Sequence, residues 1–184
     1  MFDSKTGMED VTLAFLPAGS PLLEEHWMNT AARKLSEWRG LEPYIHIELL
    51  VNDKSFSITA NAGQVHCCPN KEFNRDEWKF VRLEVTPEKK RLMLNYAMRA
   101  HAAKCGFNWK GYAATAVGSS YSGGGKNFFC SEFVASALQA GGFTLKYRPE
   151  QYIPAALYKE VEGWSASLNT WHPKLNSQPV HFEF

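Results

Sequence analysis

Residues 44–53, YIHIELLVND, narrow what this chain can fold into more than any other stretch. Side chains on a strand alternate between its two faces. Tyr44, His46, Glu48 and Leu50 therefore share one face, and Ile45, Ile47, Leu49 and Val51 share the other. Asn52, Asp53 and Lys54 supply a turn, and SFSITANAG reads as the returning strand of a hairpin. A hairpin this early commits the chain to antiparallel pairing.

The flanking segments extend that pattern. DVTLAFLPAGS reads as a short strand that turns at Pro17 and Gly19, and WKFVRLEV (78–85) is a further alternating strand. In PLLEEHWMNTAARKLSEWRG, the residues Leu22, Leu23, Trp27, Ala31, Leu35 and Trp38 recur at helical spacing before Gly40. TPEKKRLMLNYAMRAHAAKCG is the clearest helix. It has Thr86 as N-cap, Pro87 at the first position, Glu88 at the positive end and Gly106 as its stop. GSSYSGGGKN (118–127) reads as a flexible loop. A helix follows from about residue 129 to Gly141-Gly142, and a short one is expected around PAALYKEVEG. The expectation is one α+β domain over residues 1–184, an antiparallel sheet packed against helices.

Composition excludes more than it selects. Apolar residues make up 45% and charged residues 21%, both ordinary for a globular protein. A net charge of +1 predicts neither a nucleic-acid surface nor a polybasic membrane patch. No apolar run approaches the ~18 residues of a membrane helix. MFDSKTGMED has no basic-then-apolar order, so no signal peptide is expected. The expected location is a reducing, cytoplasm-like compartment, with Cys67, Cys68, Cys105 and Cys130 as free thiols.

Cys130 is the cysteine whose position raises a chemical question. Burial statistics favour a core thiol sharing an apolar helix face with Phe133, Val134, Ala137 and Leu138. Against that, a helix start stabilises a thiolate, and the glycine-rich segment before it lets a substrate approach the chain. A nucleophilic thiol also needs a base, normally His, and a group that orients the base. His26 and His101 fall on charged helix faces, His66 precedes Cys67-Cys68, and His172 and His181 lie in an irregular tail. His46 is mounted mid-strand with Glu48 beside it on the same face, where it can project toward a helix packed over the sheet.

Two other motifs are set aside. His66-Cys67-Cys68 lacks the two-to-four-residue spacing of zinc ligands and has no second pair, so neither a metal nor another cofactor is expected. Gly118 and Gly123 have phosphate-loop spacing, but Gly124 stands where lysine is required.

YIHIELLV, SFSITANAGQVH, FNWKGY and FFCSEFVASALQAGGF, in that order, resemble the circularly permuted NlpC-like branch of the papain fold, over roughly residues 10–160. In that branch the histidine strand precedes the cysteine helix. The resemblance implies Cys130 as nucleophile and His46 as general base, with an oxyanion hole from backbone N–H groups at the start of the Cys130 helix. Glu48 is the preferred third member because a carboxylate stabilises imidazolium better than a hydroxyl. Ser57 and Thr59 on the neighbouring strand are the alternatives, since an i,i+2 neighbour points the same way as the histidine rather than at its far nitrogen.

The implied activity is that of a cysteine peptidase or amidase, a thiol hydrolase acting on an amide or peptide bond. Lipid acyltransferases similar to lecithin:retinol acyltransferase share the fold, and a catalytically silent binding module or virion component is a further alternative. The expected partner is a peptide, amide or lipid acyl substrate. The segment YRPEQYIPAALY would either wall a substrate cleft or pack the core, and Cys130 would occupy the exposed end of its apolar stripe.

Overall fold

The computed structural model of the protein describes residues 7–20, 27–117 and 119–166. His26, His172, His181, Leu22 and Leu23 lie outside them. Five strands form one antiparallel sheet: β1 (Glu9–Pro17), β2 (Tyr44–Val51), β3 (Lys54–Ser57), β4 (His66–Pro69) and β5 (Lys79–Val85), in the spatial order β4-β3-β2-β1-β5. The helices are α1 (Trp27–Trp38), α2 (Pro87–Ala102), α3 (Trp109–Ala116), α4 (Cys130–Ala140) and α5 (Pro154–Ala166). Two short strands, β6 (Gly106–Phe107) and β7 (Asn127–Phe128), pair in parallel just before α3 and α4. The architecture is thus α+β, with an antiparallel sheet packed against helices. Among the described residues no helix is long and apolar enough to cross a membrane.

The sheet has two unlike faces. Val11, Leu13, Phe15, Ile47, Leu49, Val51, Val81, Leu83 and Val85 meet α2, α4 and α5 through Met93, Ala97, Phe133, Val134, Leu138, Leu157 and Val161. Each such side chain removed from water stabilises the fold by about 1.5–3 kcal/mol. The other face carries Ala14, Leu16, Ile45 and Trp78, with Phe73 and Phe80 against them. Phe73 and Trp78 come from the segment between β4 and β5, so a loop rather than a helix covers this face.

Strict alternation misplaces two residues of β2, Tyr44 and Ile45. Leu16 pairs with His46 but Pro17 pairs with Tyr44, so Ile45 is an extra residue in the ladder. Pro17 has no N–H to donate, and a bulge there accommodates it. Tyr44 consequently turns to the helix side, its ring 5.5 Å from Phe15 and 4.3 Å from Tyr158, while Ile45 joins His46 on the loop side.

Other boundaries differ from expectation for local reasons. The returning strand of the hairpin ends at Ser57, and Thr59 lies in a turn where its hydroxyl accepts from Ala62 N–H at 3.1 Å. Thr86 caps α2 by accepting from Lys89 N–H at 3.3 Å. The stop, however, is Lys104 at φ 50, followed by Cys105 N–H bonding Ala100 C=O at 3.0 Å. Gly106 instead begins β6, where a Cβ would sit 2.5 Å from Asn127 Oδ1. On α1, Leu35 packs against Ile153 and Ala155, but Trp38 is 81% exposed and does not belong to the buried stripe. In YRPEQYIPAALY, Tyr152 and Tyr158 are core residues and Tyr147 is exposed.

Candidate active site

His46 is held where the sheet parts. β3 pairs with β2 only over Leu49–Val51, so beside His46 the central strand has no ladder partner on that flank. The His46 side chain lies on the loop-covered face, with the Trp78 ring edge-on at 6.2 Å. Cys130 belongs to the helix-side core, yet it lies close enough to the His46 ring to be among the groups that raise its pKa. His46 thus comes from the loop-covered face and Cys130 from the helix-side core, at the level where β3 has left β2.

Glu48 completes the group from the same strand. His46 Nε2 is 3.5 Å from Glu48 Oε1. With Nε2 turned to the carboxylate, Nδ1 is the nitrogen left for the thiol. Glu48 Oε2 accepts from Ser55 Oγ, and Oε1 also takes the Lys71 ammonium at 2.5 Å. Lys71 lies 4.9 Å from the Phe73 ring centroid and 5.4 Å from that of Trp78, which fixes its stem over the site. Glu48 thus points toward the far nitrogen of His46 despite being its i,i+2 neighbour. Ser57 pairs with His66 Nε2 at 3.1 Å instead, and Thr59 is the turn residue described above.

Charge in this cluster is set by competition between burial and partners. Burial pulls the His46 pKa down, but the neighbouring Cys130 and Glu48 push it up to about 9. Burial likewise works to raise Glu48, and hydrogen bonds from His46, Lys71 and Ser55 bring it down to about 2. At neutral pH the pair is imidazolium and carboxylate.

The start of α4 is tied down by a residue that sequence reasoning did not single out. Glu132 is buried, and its Oε2 accepts from Phe129 N–H at 3.3 Å and Asn108 Nδ2 at 2.9 Å. Its Oε1 accepts from Gly123 N–H at 3.4 Å. Burial raises the Glu132 pKa against these bonds. The carboxylate holds the N-cap residue, half of a capping box whose other half the Phe129 side chain cannot supply. The serine-and-glycine segment is accordingly anchored rather than free at Gly123, where a Cβ would fall 1.9 Å from Asn127 C=O. The capping-box spacing was the signal available: Glu132 stands three residues after the N-cap.

Tyr112 also escaped notice. It is buried, its ring is 5.8 Å from Phe129, and after burial the nearby Cys130 charge is what raises its pKa. Cys130 itself is 5% exposed, not the open end of a stripe.

The remaining candidates lie apart. His101 Nδ1 meets Val65 C=O at 3.1 Å, so its ring is partly buried against the loop before β4 rather than wholly solvated. Adjacent residues of β4 face opposite ways: Cys67 packs on the helix-side core, and Cys68 contacts Pro69 C=O at 3.9 Å. Among the described residues no three His, Cys, Asp or Glu side chains are grouped to hold a metal ion.

No protein-family model, curated protein or solved structure matches this chain. Chemically, a thiol at a helix start, near a buried imidazole that faces a carboxylate, is an arrangement suited to acyl transfer.

Proposed function

We propose that the protein is a thiol hydrolase of the permuted NlpC-like papain type, cleaving an amide or peptide bond through an acyl-enzyme. Cys130 Sγ attacks as the thiolate paired with the His46 imidazolium, forming a C–S bond to the carbonyl carbon. His46 gives its proton to the leaving nitrogen as the C–N bond breaks. Water then attacks the thioester with His46 as base, the C–S bond breaks, the acid departs and the thiolate–imidazolium pair is restored. Glu48 holds the imidazole in place and stabilises its charged form. The first N–H groups of α4 lack intrahelical partners and lie where an oxyanion develops. The observation that carries this reading is His46 Nε2 at 3.5 Å from Glu48 Oε1, with Cys130 near enough to the same ring to raise its pKa.

The test is labelling by an acyl-type electrophile, with the modified residue located by mass spectrometry. Wild type is expected to be labelled at Cys130, and His46→Ala to slow that labelling by about 10²–10⁴-fold. Equal labelling of wild type and Cys130→Ala would sink the proposal. Analysis of the products separates hydrolysis from transfer to a lipid or other acceptor.

One observation favours a second reading. Cys130 and His46 are only 5% and 4% exposed. A closed site fits a catalytically silent member of the fold used for binding or as a virion component. On that reading Cys130 reacts no faster than expected from its burial, and more slowly than Cys67 and Cys68.

A further inference from the structure

A cavity whose lining does not include Cys130 is ringed by positive charge. It encloses about 720 Å³ between the turn after α1, the end of α3 with the loop after it, the segment before α5, and α5 itself. Arg39, Lys146 and Lys159 line it, and none of them forms a salt bridge among the described residues. Its one acid among the described residues, Glu160, accepts from Lys146 N–H at 2.8 Å and from the Tyr152 hydroxyl. Hydroxyl groups of Ser119, Ser120 and Tyr147 add donors, and Leu41 and Ala156 make an apolar strip. Three cations and one engaged carboxylate around one concavity focus a positive potential there.

Both walls back onto the start of α4. Thr115 in the cavity donates to Tyr112 C=O at 2.7 Å, and Tyr112 is the residue that senses the Cys130 charge. On the other side Gln151 precedes Tyr152, whose carbonyl accepts from Ser131 Oγ at 2.7 Å. The cavity is therefore one residue removed, on each side, from the helix turn that carries the thiol.

We infer that this cavity binds an anionic group, a carboxylate or phosphate, carried on the acyl part of the substrate. The cavity's ability to bind anions stands on its own residues; the link to substrate rests on the thiol-hydrolase reading above. The apolar strip takes the stem that joins the anion to the scissile carbonyl, and the cations take its end.

Two measurements on the full chain test it. In the first, ¹H–¹⁵N spectra are recorded during titration with inorganic phosphate and, separately, glutarate. One or both should move the Ser119, Ser120, Tyr147 and Gln151 amides saturably, and the variant Arg39→Gln/Lys146→Gln/Lys159→Gln should bind at least about tenfold more weakly. Circular dichroism checks that this surface variant is folded. Absence of saturation with both anions, or equal binding by the variant, overturns the site.

In the second, the ratio of kcat/KM for the mono-p-nitrophenyl ester of glutarate to that for p-nitrophenyl butyrate is compared. The ratio should fall about tenfold or more in the variant, and fall in wild type as salt screens the cations. An unchanged ratio with intact anion binding overturns the assignment to substrate. If neither ester shows Cys130-dependent hydrolysis, the thiol-hydrolase reading fails, and the titration still decides the cavity.

Discussion

At the scale of single residues, the unusual feature is that one carboxylate oxygen serves two cations. Glu48 Oε1 meets Lys71 at 2.5 Å and His46 Nε2 at 3.5 Å. The shorter contact draws the carboxylate toward Lys71, and Lys71 also repels the imidazolium. Lys71→Met should therefore raise the pH midpoint of His46 further above its present value of about 9, because the full carboxylate charge then faces the ring. Labelling the histidine rings with ¹³C and following their shifts through alkaline pH reads this directly. A midpoint that stays put or falls would show that Lys71 does not modulate the pair. His46 and Glu48 were legible from their i,i+2 placement on one strand face. Lys71 was not, because it comes from a loop more than twenty positions away, and no spacing rule links it to Glu48. The rejection of Ser57 was equally illegible: it depends on His66 standing opposite Ser57 in the β3–β4 register.

At the scale of elements, α4 depends on a carboxylate that is buried for structural reasons. Glu132 joins the N-cap residue of α4, the N-cap residue of α3 and the glycine segment. Removing it strands the Phe129 and Gly123 N–H groups and the Asn108 amide without their shared acceptor. Glu132→Ala is expected to cost about 2–4 kcal/mol, from one or two buried donors left unsatisfied. Urea denaturation measures that loss. A loss below about 0.5 kcal/mol would mean that water replaces the carboxylate without penalty. The helices themselves were readable because their signals are local: Thr86 and Pro87 open α2, and Gly141-Gly142 closes α4. Signals that depend on a partner strand were not. The Ile45 bulge arises from Pro17 on β1, and the early end of β3 from its divergence from β2. Gly106 looked like a helix stop, but its lack of a side chain serves close packing against Asn127.

At the scale of the whole molecule, the sheet separates a helix-packed face from a loop-covered one, and the candidate site bridges them at the gap beside β2. The order of elements and the α+β class follow from alternation and caps along the chain, but this crossing of faces does not, since it requires knowing which flank of a central strand is left unpaired. Burial of an ion pair at such a seam ties the stability of the whole fold to pH. Glu48 is lowered from 4.5 to about 2, so its contribution is complete above pH 4.5 and is lost as pH falls through 2. His46 is raised from 6.5 to about 9, so its contribution is complete below pH 6.5 and is lost as pH rises through 9. These two groups alone define a plateau between about pH 4.5 and 6.5 with a decline on either side. The urea midpoint of wild type should then be lower at pH 9.5 than at pH 5.5. His46→Gln, which cannot take up the proton, should flatten that alkaline decline while leaving the contributions of surface lysines in place. An alkaline decline of equal size in wild type and His46→Gln would show that the imidazolium at the seam contributes nothing to holding the two faces together.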